Sequence, residues 1–187
     1  MELRMMNSIA SDFKTRAEGE AKYIEGYFSV FNQPYELWDD AYEIIDSDAF
    51  NDIEGADVRA LINHDTTLVM GRTSANTLSL KTDSYGLWGS VLINENDQDA
   101  MNAYARVQRG DVNQCSFGFE ITEQEVKFEN DKTIFVIKGV KLHEISICTF
   151  PAYEATHVQA RKDELNKLNE ERLSAWKKAA LERISKC

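Results

Sequence analysis

The sequence predicts an α+β protein: a strongly curved or closed, mainly antiparallel β-barrel with a few peripheral helices, plus a C-terminal helix. Three observations carry that prediction. Short runs of β-branched and aromatic residues, each broken by a polar turn, recur from Lys22 to Phe150, and such runs suit a half-buried sheet surface. One stretch among them, Asp97–Arg109, has helical periodicity instead. Past about residue 160 the pattern changes to a long Gly- and Pro-free segment of good helix formers. Many strands with a helix or two inserted are accommodated by a sheet that curves on itself and removes its edges.

The elements follow in order. Lys22–Phe31 carries Tyr23, Ile24, Tyr27, Phe28, Val30 and Phe31 and stops at Asn32-Gln33-Pro34. Tyr42–Ile45 is a short apolar run, and Asp46-Ser47-Asp48 supplies an N-cap for a brief helix through Phe50–Ile53. Val58–Ile62 is a strand that runs into His64. Leu78–Lys81 and Leu87–Ile93 flank Asp83-Ser84-Tyr85-Gly86 as a hairpin. The helix Asp97–Arg109 has a polar start, Ala100, Ala103, Tyr104 and Val107 on one side, and Gly110 at its stop. Phe117–Phe128 and Thr133–Val140 form a second hairpin around Asn130-Asp131, and Lys141–Phe150 is a last strand ending at Pro151. Trp88 and Phe135 have the bulk to fill the core. The final segment, Asp163–Lys186, spreads Leu165, Leu168, Leu173, Trp176, Leu181 and Ile184 over a broad arc without a strict heptad. Such a helix docks on its own domain or meets a second chain.

Composition narrows the function classes. With 187 residues, 43% hydrophobic and 10% aromatic, the chain has the material for a real core and is not a disordered polymer. Its net charge is −11, from 32 Asp+Glu against 21 Lys+Arg. Residues 161–187 hold eight Lys/Arg and five Asp/Glu, so residues 1–160 carry −14 and the tail +3. That break sets a boundary near Gln159–Lys162, with a body over 1–160 and a helical tail over 161–187. An acidic body argues against nucleic acid and anionic membranes as partners. No run reaches the about 18 apolar residues of a membrane span, and Met1–Ala10 does not read as a secretory signal. Cys115, Cys148 and Cys187 have no CxxC spacing, so neither a zinc site nor a disulfide framework is expected and the cytoplasm is the default compartment. No cofactor signature is present.

Chemistry then has to come from a nucleophile and a base. His64 sits in Leu61-Ile62-Asn63-His64-Asp65, where an apolar strand gives way to a polar turn that presents a side chain from a rigid support. Ser116 sits in Gln114-Cys115-Ser116-Phe117-Gly118-Phe119, at the entry to a strand, with Gly118 permitting a close approach. Backbone N–H groups near Phe117 and Gly118 would supply oxyanion donors if the chain turned sharply there. In Leu142-His143-Glu144-Ile145-Ser146-Ile147, a regular strand places Leu142, Glu144 and Ser146 on one face and His143, Ile145 and Ile147 on the other. Orienting a histidine is a job that repays burying Glu144. Structural readings stand beside each of these: a turn histidine, a strand-end serine bonded to backbone, a solvent-facing glutamate. Ser146 is a competing nucleophile without a neighbouring glycine.

Taken in order, Asn63-His64-Asp65, Met70-Gly71-Arg72, Tyr85-Gly86-Leu87, Arg109-Gly110-Asp111, Cys115-Ser116-Phe117-Gly118-Phe119, Leu142-His143-Glu144-Ile145-Ser146 and Thr149-Phe150-Pro151-Ala152-Tyr153 form a set. From roughly Gly19 to Ala160 the chain resembles the prohead (capsid-maturation) serine proteases of tailed bacteriophages, whose fold is similar to the herpesvirus assembly protease. The resemblance implies Ser116 as nucleophile, His64 as general base and Glu144 as the histidine-orienting residue. In the herpesvirus relatives that third member is a histidine, which makes the adjacent His143 its rival. Cys115 stands where the family often has Met. The resemblance further implies a serine endopeptidase without cofactor or metal, cleaving scaffold and capsid protein segments and itself. It implies action in the host cytoplasm inside the assembling prohead, a possible homodimer, and no full scaffold domain in the short tail. A rival reading is a non-catalytic capsid assembly or scaffold-binding module with the C-terminal helix as its interaction element. A third is a cytosolic hydrolase that uses the same residues on small esters or short peptides.

Overall fold

Two β-sheets and a helix enclose the core of the body. The computed structural model describes residues 4–7, 13–150 and 154–184, with side chains over 13–150, 161–181 and 183. The strands are β1 (Arg4–Asn7), β2 (Lys14–Glu18), β3 (Ala21–Val30), β4 (Tyr35–Trp38), β5 (Ala41–Ile45), β6 (Arg59–Ile62) and β7 (Asp65–Arg72). They continue with β8 (Leu78–Thr82), β9 (Gly86–Leu92), β10 (Gln114–Glu129) and β11 (Lys132–Cys148), and the helices are α1 (Gln98–Arg109) and α2 (Glu154–Ile184). One sheet runs β1-β10-β11-β5-β4, with β6 joined to β11 and β7 to β6; the other runs β2-β3-β9-β8.

The closed or strongly curved barrel expected from the sequence is not what forms. Among the described residues both sheets are open, the larger ending on β1, β4 and β7 and the smaller on β2 and β8. Alternating apolar residues demand only that one face of a sheet be covered. Here the faces of two sheets cover each other, so closure is not needed. One buried cluster takes Ile24 and Phe28 from β3, Leu87 and Val91 from β9, Phe117 and Phe119 from β10, and Ile137, Ile145 and Ile147 from β11. Phe117 stacks on Phe119 at 4.9 Å and meets Phe50 edge-on at 5.8 Å. Helix α1 seals the cluster with Ala100, Ala103, Tyr104 and Val107. Its start is capped by Asp97, whose side chain accepts from the N–H groups of Asp99 and Ala100.

Long strand β11 organises the larger sheet. Along one side it pairs antiparallel with β10 through the Asn130-Asp131 turn, both residues at positive φ. Along the other side it pairs in parallel with β5 over Thr133–Ile137 and with β6 over Glu144–Ile147. The two strands expected at Thr133–Val140 and Lys141–Phe150 are therefore one strand. Strands β1, β2 and β4 carry little signal of their own, being short or polar, and gain stability from their neighbours; β7, with its Leu68-Val69-Met70 run, is a further strand absent from the expected set and is paired to β6. The Asp46 carboxylate caps a turn at the Asp48 N–H rather than a helix, and Asn51–Ile53 is a single 3₁₀ turn. Phe135 is buried as expected; Trp88 is only half-buried, with the Lys81 ammonium 4.5 Å over its ring.

The second unit, residues 153–187, contains α2, which begins nine residues before the expected Asp163. Arg161 is buried and its guanidinium donates to Glu164 at 2.8 Å. Leu173, Trp176 and Leu181 are exposed. Among the described residues no helix is long and apolar enough to cross a membrane.

Candidate active site

The β6–β7 hairpin delivers His64. Ile62 and Asp65 pair across a two-residue turn, and its central residues, Asn63 and His64, have φ of 51° and 60°. Positive φ at both positions is the mark of a type I′ turn, which fits the twist of the flanking strands. Asparagine and histidine both take this conformation more often than most residues, but for any side chain it has a cost that the surrounding structure must offset. Three bonds to β11 and its continuation hold the tip. The Asn63 N–H donates to the Ile147 carbonyl at 2.9 Å, and Asn63 Oδ1 accepts from the Thr149 N–H at 2.9 Å. The His64 N–H donates to Ser146 Oγ at 3.2 Å. At the base of the hairpin, Arg72 grips Asp57 through two bonds of 2.7 and 2.6 Å, and Arg59 adds a third of 3.0 Å. The Arg72 hydrogen bonds hold the Asp57 carboxyl well below its usual range.

Strands β10 and β11 deliver the rest. Ser116 pairs with Ser146 and Gly118 with Glu144, and directly opposed residues share a face with Cβ atoms about 4.5–5.5 Å apart. Ser116, Glu144, Ser146 and Cys148 therefore lie on one face, while Phe117, Ile145 and Ile147 enter the core on the other. As anticipated, Glu144 and Ser146 share a face. Leu142 does not join them. The register shifts between Gly118 and Phe119, so that Phe119 faces Leu142 and His143 becomes the extra residue of a β-bulge. Leu142 then packs into the core, and His143, one-third exposed, stands 3.1 Å from Glu120. Glu144, not His143, meets His64.

That meeting is close. His64 Nδ1 and Glu144 Oε1 are 2.7 Å apart, with side chains only 13% and 8% exposed. The other carboxylate oxygen, Oε2, accepts from Ser146 Oγ at 2.6 Å. Two bonds to one carboxylate offset the cost of removing it from water. An ionised Glu144 only accepts, so the proton of a neutral imidazole is assigned to Nδ1 and Nε2 is left as the basic nitrogen. Nε2 faces Cys148 Sγ at 3.7 Å. Burial first, and the nearby Glu144 charge second, push this thiol up to about 12. A thiol so held stays protonated at neutral pH and is a poor nucleophile. It is a weak donor toward Nε2, one rung along the strand from Ser116.

Ser116 is the third residue of β10, near the strand's entry as expected, and is buried. Both flanks of Ser116–Phe119 are paired, with β1 on one side and β11 on the other. The chain makes no sharp turn there, so the expected oxyanion donors at Phe117 and Gly118 are committed to the sheet. Gly118 has a different use: a Cβ on it would stand 2.5 Å from Glu144 Oε1. The glycine two residues beyond the serine is the seat of the carboxylate. Sequence reasoning missed Cys148 and the double hydrogen bonding of Ser146; only the alternation of Glu144, Ser146 and Cys148 along one strand signalled that they share a face. Among the described residues no group of three or more His, Cys, Asp and Glu is arranged to hold a metal ion.

Comparison with known proteins adds three findings. A family model described as caudovirus prohead serine protease matches residues 11–171. The prohead protease of Enterobacteria phage HK97 is 31% identical over a 157-residue alignment that covers 81% of this chain and 65% of that protein. The chain thus spans somewhat less than two-thirds of the length of the curated relative it matches. The structure of the bacteriophage T4 capsid assembly protease aligns over 81% of this chain and all of that one, with 11% identity and a TM-score of 0.48.

Proposed function

The chain belongs to the caudovirus prohead serine protease family, and on that premise we propose that it is a serine endopeptidase of phage prohead maturation. Residues 1–160 are the protease domain and 161–187 a helical tail. Ser116 is the nucleophile, His64 the general base and Glu144 the residue that orients His64. The observation that carries this reading is the 2.7 Å contact of His64 Nδ1 with Glu144 Oε1, on the face of the sheet that Ser116 shares.

In the reaction, His64 Nε2 turns from the Cys148 thiol to the Ser116 hydroxyl as the substrate-bound site tightens, and accepts its proton. Ser116 Oγ attacks the peptide carbonyl. Glu144 keeps the Nδ1–H tautomer in place and stabilises the imidazolium that forms. His64 then gives the proton to the leaving amine, and water repeats the sequence on the acyl-enzyme. A base of this kind contributes about 10²–10⁴-fold. Scaffold segments, the scaffold-bearing end of the capsid protein and the protease itself are the substrates, met in the host cytoplasm inside the assembling prohead. The family match and the name of the related HK97 protein, a prohead protease, support that choice.

Co-expression with the neighbouring capsid protein, followed by mass analysis of both chains, tests the proposal. The parent chain is expected to cut the capsid or scaffold protein at defined sites. Ser116→Ala is expected to fold and to cut nothing. Full processing by that variant overturns the assignment.

A further inference from the structure

We propose that Ser146 is a positioning residue of this site, acting through Glu144 and His64 together. Its hydroxyl makes two bonds at once. It donates to Glu144 Oε2 at 2.6 Å and accepts from the His64 backbone N–H at 3.2 Å. The same oxygen thus grips both partners of the His64–Glu144 pair, the carboxylate by its side chain and the histidine by its main chain. Its donor leaves Glu144 Oε1 free to take the imidazole, because the second carboxylate oxygen is already satisfied. Its acceptor pins a histidine that sits at φ 60°, a conformation that persists only when its surroundings hold it.

The placement leaves the hydroxyl little freedom. Ser146 is fully buried, it lies opposite Ser116 in the β10–β11 ladder and opposite Leu61 in the parallel β11–β6 ladder. A strand whose register is set on both sides aims the hydroxyl more narrowly than a loop does. With its proton committed to Glu144, Ser146 is not the nucleophile that its position suggested from sequence alone. Alanine in its place would leave a buried carboxylate oxygen and a partly buried main-chain N–H without that partner, and neither fault requires the sheet to change.

The inference rests on the protease reading, and its test separates the two. Full-length Ser146→Ala, Ser146→Thr and Ser116→Ala chains are assayed on a fluorogenic peptide spanning the cut mapped by co-expression. His64 is followed by NMR in the Ser116→Ala background, through its downfield Nδ1–H proton and its ring nitrogen shifts. Ser146→Ala is expected to lower kcat about 10–100-fold with KM within about twofold, and to weaken or abolish the Nδ1–H signal. Ser146→Thr, which keeps the hydroxyl, is expected to restore both. Unchanged kcat and an intact signal in Ser146→Ala overturn the inference, as does a loss of kcat that follows lowered Tm while the signal persists. If Ser146→Ala does not fold, Ser146→Cys, similar in size with a weak donor, is judged by the same two criteria. Activity retained by Ser116→Ala overturns the protease reading instead, and the His64 spectra still decide the role of Ser146.

Discussion

A single methyl group placed on Gly118 is expected to unseat the Glu144 carboxylate. Gly118 is not at positive φ, so its backbone accepts alanine and the effect is one of contact alone. The added Cβ would stand 2.5 Å from Glu144 Oε1 and 3.1 Å from both its Cγ and Cδ, where real contacts essentially never fall under 3.0 Å. The carboxylate must therefore retreat by at least about half an ångström. Its bonds of 2.7 Å to His64 and 2.6 Å to Ser146 then stretch to about 3.2 Å, the long end of the normal range. Hydrogen bonds to a charged group are worth about 1.5–3 kcal/mol each. Weakening the pair by roughly half costs about 2 kcal/mol, which converts to about a 30-fold loss of rate. The assay is kcat on the mapped peptide for Gly118→Ala, with the His64 Nδ1–H proton as a second reading and urea unfolding as a control. A variant with kcat within threefold of the parent and an unchanged His64 signal would refute the claim that Gly118 exists to seat this carboxylate.

Four further outcomes are expected, the last from the other sheet. Glu144→Gln keeps the shape but loses the charge and is expected to lower kcat about 10²–10⁴-fold, whereas His143→Ala, in the bulge beside Glu120, should stay near the parent rate; equal, mild effects would mean that neither residue orients His64. The Cys148 thiol, held up at about 12 by burial, should resist iodoacetamide at pH 8 in the folded chain and react in urea, as read by peptide mass analysis. The unfolded thiol loses its proton near about 8.5, so the folded state binds more protons between that value and about 12 and stability falls as pH rises through this window. A Cys148→Ala chain should lose part of that decline in urea midpoint between pH 8 and pH 10, and an identical slope would contradict the assignment. Gly86→Ala would set a Cβ 2.0 Å from the Ser29 carbonyl oxygen, a backbone atom that cannot move without opening the β3–β9 pair; a loss of about 3 kcal/mol or more is expected, and a variant within about 1 kcal/mol of the parent in chemical denaturation would disprove the contact.

The elements that could be read from the chain were those whose signal is local. Helix α1 announced itself through Asp97, its four-residue apolar side and Gly110. The Asp83–Gly86 and Asn130-Asp131 turns announced themselves through residues that satisfy or relax their own backbone. Strands β1, β2 and β4 were not legible, because a short or polar segment becomes a strand only when a neighbour offers it a ladder. The bulge at His143 was not legible either. Regular alternation predicts that Leu142, Glu144 and Ser146 stay in step, and one extra residue, forced by the register against β10, moved Leu142 into the core.

What the sequence by itself determined is a strand-rich acidic body with a helix inserted, a basic helical segment after it, and the ordered His64, Ser116 and Glu144 segments on which the resemblance to the family rests. Each rests on periodicity, charge or motif within a few residues, and these survive without any partner. The tertiary structure alone decided that two open sheets share the core in place of a closed barrel. It also decided that Glu144, and not His143, takes the imidazole, that Gly118 makes room for it, and that the Ser146 hydroxyl is committed to both. The physical reason is separation. The His64–Glu144 bond joins residues 80 positions apart, and such a contact depends on the register of β11 against β6 and β10, which is set by packing across the whole sheet.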